Sequence, residues 1–229
     1  MLLGEATAKA GLITGQLPWE PNTAASPLAI TPGPWTFFTP AEAAAIEALA
    51  DRIIPPDPQT PGGKDAGCAV FLDRQLAGPY GRNEGHYNEG PFEAGTEQQG
   101  PQASGTPSAT YRTALAGLDK HCRETQGGKI WVELTAEQQD DVLKGMEAGS
   151  VVVDGTDTRK FFETLIKDIQ EGFFSDPIYG GNKDMCAWKM IGYPGARYDY
   201  RDWVGRHNER FPLPPVSIAG RPDWNPKQG

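Results

Sequence analysis

The chain has 229 residues, of which 38% are hydrophobic, and its formal net charge is −9 at pH 7. Such an acidic chain lacks the clustered lysines and arginines that neutralise nucleic-acid phosphates or hold a protein on an anionic membrane. It also contains no apolar run of about twenty residues, the length that a transmembrane helix needs. We therefore expect no nucleic-acid partner, and membrane association only through other proteins.

Proline dominates both ends of the chain. The first 36 residues contain Pro18, Pro21, Pro27, Pro32 and Pro34, without a helical or an alternating apolar period. Because proline fixes φ and lacks an N–H group, such segments favour extended coil. The sequence predicts an extended arm over residues 1–36, a helical domain over 37–204 and an extended tail over 205–229.

Helical periodicity recurs between the two arms. The runs Thr39-Pro40-Ala41-Glu42 and Thr135-Ala136-Glu137-Gln138 are capping boxes, which open helices. Apolar residues at helical spacing predict further helices over 66–77, 108–126, 158–173 and, shorter, 184–190. Strand signals are nearly absent. The predicted fold class is therefore mainly α, a single domain of about five or six helices with long Pro/Gly-rich loops.

A stretch from 78 to 107 has no regular pattern, although it contains Tyr80, His86, Tyr87 and Phe92. Loops of this length are uncommon in compact domains and are usually either functional or disordered. The aromatic side chains favour an ordered loop that makes contacts. We expect this loop and both arms to be ordered only against a partner, because neither buries enough apolar surface alone.

Motifs of known chemistry are missing from the sequence. It contains no dinucleotide-binding G-x-G-x-x-G, P-loop, G-x-S-x-G or H-E-x-x-H. The three histidines are far apart, and Asp154-Gly155-Thr156-Asp157 lacks the spaced ligands of a calcium loop. We assign no catalytic, cofactor-binding or metal-binding residue to this chain.

The segment 171–204 is unusually rich in aromatic residues, glycines and paired charges. Its rings could cover the core, but tryptophan, tyrosine and arginine are also the residues that dominate protein–protein contacts. We favour the second interpretation. The candidate interface residues are Trp188, Tyr193, Arg197, Tyr198, Tyr200, Arg201 and Trp203.

Two runs within that segment resemble a known family. The first run is Phe174-Ser175-Asp176-Pro177-Ile178-Tyr179-Gly180-Gly181-Asn182, and the second is Trp188-Lys189-Met190-Ile191-Gly192-Tyr193-Pro194-Gly195-Ala196-Arg197. Together the two runs are similar to the hallmark of gluconate 2-dehydrogenase subunit 3. Softer similarity lies at 38–42, 51–55 and 71–76. The resemblance extends over about 37–215, most of the chain.

The resemblance implies a small subunit without a cofactor of its own. Its implied partners are a large flavoprotein of the glucose–methanol–choline type and a multihaem cytochrome c subunit, which passes electrons to quinone. The large subunit would carry FAD, with an iron–sulfur cluster as a further candidate, and the cytochrome would carry haem c. The implied location is the periplasm, on the outer face of the bacterial inner membrane.

The same resemblance implies a role in folding and export of the large subunit. Family members usually carry a twin-arginine signal, whereas no Arg-Arg pair occurs in this sequence, and prior removal of a signal stays open. Gluconate is the expected substrate of the complex, with glucose, fructose, sorbitol and 2-ketogluconate as alternatives. The rival hypothesis is a free-standing α-helical enzyme with an unrecognised carboxylate site, which turnover by the isolated chain would reveal.

Three cysteines, Cys68, Cys122 and Cys186, stand outside any C-x-x-C pair, which excludes a zinc ribbon and a thioredoxin-type motif. Cys68 and Cys122 lie on predicted helices and could form an internal disulfide if their Cα atoms come within about 7 Å. Cys186 lies in the candidate interface and could instead bridge to the large subunit. Three buried thiols are the remaining alternative.

Overall fold

The computed structural model describes residues 33–85, 90–93, 95–99, 105–197 and 200–218. Within them lie six α-helices and no β-strand, apart from two isolated bridges, which confirms the predicted mainly α class. The helices are α1 (Pro40–Ile53), α2 (Cys68–Ala77), α3 (Pro107–Thr125), α4 (Ala136–Ala148), α5 (Thr158–Phe174) and α6 (Cys186–Ile191). None of the helices among the described residues has the length and apolar character that a bilayer crossing requires.

Both predicted capping boxes are present. The Thr39 hydroxyl accepts a hydrogen bond from the Glu42 amide at 3.3 Å, and the Glu42 carboxylate accepts one from the Thr39 amide at 2.8 Å. Thr135 and Gln138 form the same reciprocal pair at the start of α4. These bonds satisfy amides that an α-helix leaves unpaired in its first turn. The starts of α1 and α4 are therefore encoded locally.

Helix α5 lies at the centre of the core and packs against the other five helices. Its apolar stripe consists of Phe161, Leu165, Ile169 and Phe173, each at most 3% exposed. Fully burying a side chain of this size contributes about 1.5–3 kcal/mol. Gly172 lets α2 approach the same helix, because a Cβ at this position would lie 2.9 Å from the Phe71 ring. The close approach of α2 and α5 therefore depends on this glycine.

The chain that enters α1 is fastened by a buried carboxylate. Asp73 of α2 is 3% exposed and accepts hydrogen bonds from the amides of Thr36, Phe37 and Phe38, at 2.8, 2.9 and 2.8 Å. Arg112 of α3 donates to the Phe37 carbonyl and lies over its ring, 4.2 Å from the centroid. The end of the predicted arm is therefore held by its own domain, whereas residues 1–32 lie outside the described residues.

The predicted long loop and tail are only partly described. In the loop, Tyr80 donates to the Asp168 carboxylate of α5, while His86 and Tyr87 fall outside the described residues. Residues 205–218 contain no helix and no strand beyond the single bridge residue Val216, in line with the predicted coil. This part of the tail nevertheless folds back on the domain.

Candidate partner-binding surface

The motif that follows α5 forms a tight turn against the core. The Asp176 carboxylate accepts from the Ile178 amide at 3.1 Å and opens a short 3₁₀ helix, Pro177–Tyr179. Gly180 then takes φ = 107°, in the left-handed region that favours glycine. A Cβ on Gly181 would lie 1.9 Å from the Gly172 carbonyl oxygen, so only glycine fits. The turn is therefore seated directly on the backbone of α5.

A fully buried amide sets the direction of the chain into α6. Asn182 donates to the Ser175 carbonyl at 2.8 Å and accepts from the Ala187 amide at 2.9 Å. A buried amide side chain is costly unless it is paired in this way. Its bonds join the two ends of the turn, so they fix α6 relative to α5.

Trp188 occupies a different position from the predicted one. It is 6% exposed, and its indole N–H donates to the Phe174 carbonyl at 2.8 Å. Its ring meets the Tyr193 ring edge-on, with centroids 5.0 Å apart, whereas Tyr193 is 45% exposed. Trp188 thus supports the surface from below, because a buried ring is not available to a partner in this conformation.

The tail closes this region. Asp176 also accepts from the Ser217 hydroxyl at 2.7 Å and from the Ile218 amide at 2.6 Å, across 41 and 42 residues. The Ala196 amide donates to the Val216 carbonyl at 2.7 Å. Arg197 donates to the carbonyls of Pro194 and Pro214, so this predicted interface residue fastens the tail.

Large apolar side chains remain exposed around this closed region, and we call them the apolar face. Each is between 38% and 61% exposed. They come from the end of α5 and the following turn, the end of α6, and the tail. The apolar face consists of Phe174, Ile178, Tyr179, Met190, Ile191, Tyr193, Leu213 and Ile218.

Beside the apolar face, the end of α6 and residues 200–211 line an open groove of about 660 Å³. The predicted residues Tyr200 and Trp203 line it, and the Tyr200 hydroxyl donates to the Gly195 carbonyl at 2.7 Å. Trp203 packs on Phe211 with ring centroids 4.9 Å apart. Of the other predicted interface residues, Arg201 is exposed and Tyr198 lies outside the described residues.

Away from the apolar face, a cluster of polar side chains in the core centres on a buried carboxylate. Asp168 of α5 is 5% exposed and accepts from the Tyr111 hydroxyl at 2.6 Å and from the Tyr80 hydroxyl at 3.1 Å. Burial raises the pKa of Asp168, and the two hydroxyls partly oppose that shift. Burial likewise raises the pKa of both phenols. Because the carboxylate is engaged by two tyrosines of its own chain, its evident role is to fasten the loop at Tyr80.

All three cysteines are free thiols in the structure, so the Cys68–Cys122 disulfide, one of the three alternatives that the sequence leaves open, is not formed in it. The Cys68 thiol points instead to the Ile169 carbonyl of α5, at 3.6 Å. Burial, and next the neighbouring Cys186, raise the pKa of Cys68 to about 12. Burial raises the pKa of Cys122 to about 11. Pairing of Cys186 with another subunit stays a prediction.

An exposed apolar face on an ordered helical core is typical of a subunit that works inside a complex. Residues 40–195 match the model of the family described as gluconate 2-dehydrogenase subunit 3. The match covers more than half of the chain, and the chain belongs to this family. No significant match was found among curated proteins or among solved structures.

The match confirms the predicted resemblance, and it contains the whole turn from Phe174 to Asn182. In the structure this turn is a scaffold, because its buried groups hold α6 against α5. The matched range ends at 195, so the tail that closes the surface lies beyond it. Among the described residues, no group of three His, Cys, Asp or Glu side chains is placed to hold a metal ion.

Proposed function

We propose that this chain is the accessory small subunit of a gluconate 2-dehydrogenase-type complex and that its apolar face binds the large, FAD-carrying subunit. The observation that carries the proposal is the apolar face itself, eight large side chains at 38–61% exposure on a rigid support. Several large exposed apolar side chains from neighbouring elements are typical of interaction sites in soluble proteins.

The rigidity of the support also favours binding. Gly181, Asn182 and Trp188 hold the turn and α6 through buried contacts, so the face exists before a partner arrives. A preformed surface loses less conformational entropy on association than a mobile one does. Methionine and tyrosine, which Met190 and Tyr193 contribute, are enriched in contact surfaces.

The rest of the proposal follows from family membership. The large subunit oxidises gluconate with FAD, and it is also the candidate carrier of an iron–sulfur cluster. A haem c-containing cytochrome subunit takes the electrons. The complex works in the periplasm, on the outer face of the inner membrane, where the small subunit stabilises the large one and assists its export.

The test is a binding titration of the purified chain against the large subunit. Ile191→Ala and Tyr193→Ala remove exposed side chains from the apolar face and leave the hydrogen bond from Trp188 to the Phe174 carbonyl in place. If either residue is a hot spot, truncation costs about 2 kcal/mol or more, which is a loss of about 30-fold in affinity. Val152→Ala is the matched control, since Val152 is 73% exposed outside this face and should leave the affinity unchanged.

If the parent chain, both variants and the control bind the large subunit with equal affinity, the apolar face is not part of the interface. Absence of any interaction between the parent chain and the large subunit would contradict the accessory-subunit proposal itself. Substrate turnover by the isolated chain would favour the enzyme hypothesis instead.

A further inference from the structure

The groove beside the apolar face carries more positive than negative side chains, unlike the protein as a whole. Among the described residues that line it, Lys189, Arg206 and Arg210 are cationic and Glu209 is the one carboxylate. The whole chain, by contrast, carries a formal net charge of −9. The groove is therefore a local cationic site on an acidic protein.

Most of this positive charge is not neutralised within the groove. Arg206 and Glu209 approach to 3.9 Å, but both side chains are more than half exposed, and such a pair is worth little. Lys189 and Arg210 are exposed and form no ion pair with any described residue. Two cations remain available to an anionic group from outside.

Aromatic and apolar side chains form part of the groove's walls, beside its charged groups. Trp203 and Phe211 pack together, Tyr200 is held by its bond to Gly195, and Met190 closes the side next to α6. Arg206 lies over the Trp203 ring, 4.6 Å from the centroid. An occupant that suits this groove carries carboxylates next to apolar side chains.

The groove is continuous with the apolar face, because Met190 and Ile191 belong to both. A protein that covers the face therefore reaches the groove as well. This continuity favours a segment of the same partner over an unrelated ligand.

We propose that the groove binds an acidic segment of the large subunit, in which aspartate or glutamate alternates with apolar residues. This proposal rests on the accessory-subunit function above. The partner's carboxylates pair with Lys189 and Arg210, and arginine can grip a carboxylate through two parallel hydrogen bonds. The partner's apolar side chains pack on Trp203 and Phe211.

Charge reversal provides the first test. We expect Lys189→Glu combined with Arg210→Glu to weaken binding of the large subunit about tenfold or more at low salt. The parent's affinity should fall as NaCl is raised from about 50 to 300 mM, because salt screens the ion pairs that Lys189 and Arg210 make with the partner. The variant lacks these ion pairs, so its affinity should fall less. Arg123→Glu combined with Lys129→Glu is the matched control, with two exposed cations on and just after α3.

Equal binding by the parent and the groove variant overturns the proposal. If Tyr193→Ala, which changes the apolar face and no residue that lines the groove, weakens binding in the same experiment, the accessory function stands and only the groove assignment fails. If the parent itself does not bind, the accessory function fails first.

Carbodiimide coupling of the assembled complex identifies the occupant. The reagent joins a lysine amine to a carboxylate in direct contact, forming an amide while the carbodiimide takes up the lost water. Mass spectrometry should find Lys189 joined to an aspartate or glutamate of the large subunit, and Lys129 not joined to it. Coupling of Lys189 only to a second copy of this chain, or to no partner carboxylate, overturns the proposal.

Discussion

Asp73 offers the most direct test of how the domain is held together. Its carboxylate receives three amides from the segment that precedes α1, yet it lies on α2, more than thirty residues away in sequence. Asp73→Ala removes all three acceptor contacts. Asp73→Asn keeps one oxygen and replaces the other by a donor.

The expected loss follows from the burial of the donors. A hydrogen bond to a charged group contributes about 1.5–3 kcal/mol, and bonds that share one acceptor are not additive. The Thr36 and Phe37 amides can turn toward water, whereas Phe38 is 4% exposed and its amide would remain buried without a partner. We expect Asp73→Ala to lower the free energy of unfolding by about 3–4 kcal/mol, and Asp73→Asn by less, since Oδ1 can still serve Phe37 and Phe38.

Urea unfolding followed by tryptophan fluorescence measures this loss, and circular dichroism checks that the helices unfold in the same transition. A typical domain is stable by only about 5–15 kcal/mol, so the shift in midpoint should be large. Asp141→Ala is the control, because the Asp141 side chain is 67% exposed. If Asp73→Ala lowers the free energy of unfolding by less than about 1 kcal/mol, with an unchanged urea slope, Asp73 does not hold the segment before α1 in the way inferred.

Two further predictions concern buried titratable groups. Burial raises the pKa of Asp168 in the folded chain above its ordinary value of 3.8. The protonated side chain therefore contributes stability that is fully present below about pH 3.8 and is lost as pH rises through the folded-state pKa. Asp168→Asn should therefore gain stability relative to the parent as pH rises above about 4 in urea titrations, and a pH-independent difference would contradict this. In the reduced, folded chain at about pH 8, iodoacetamide should modify the half-buried Cys186 before the buried Cys68 and Cys122. Equal rates by peptide mass spectrometry would show that burial does not protect the thiols.

The helices were predictable because their signals are local. Thr39 with Glu42, and Thr135 with Gln138, start helices through contacts within four residues, and the apolar period of α5 continues over its whole length. The 66–77 prediction began two residues too early, since residues 63–67 form a turn that ends at Gly67, with φ = 82°.

The surface was predictable only in part. Aromatic composition singled out the segment 171–204, and its role as an interface stays a prediction, but composition does not say which side of a short helix faces the core. Helix α6 has six residues, too few for a period to emerge, so Trp188 was assigned to the interface although it is buried. Asp176 meets Ser217 across 41 residues, and no local pattern announces such a pair.

The contact between Asp176 and Ser217 relates the candidate partner-binding surface to the order in which the chain is synthesised. Asp176 and the turn around it are synthesised before Ser217 and Ile218, and the last described contacts of the tail form only when both of these residues reach the Asp176 carboxylate. A nascent or prematurely ended chain can assemble the core from α1 to α5 and still present an unfinished surface. Under the proposed function, the surface that the partner meets is therefore complete only after the last described residues of the tail have been synthesised and have folded back.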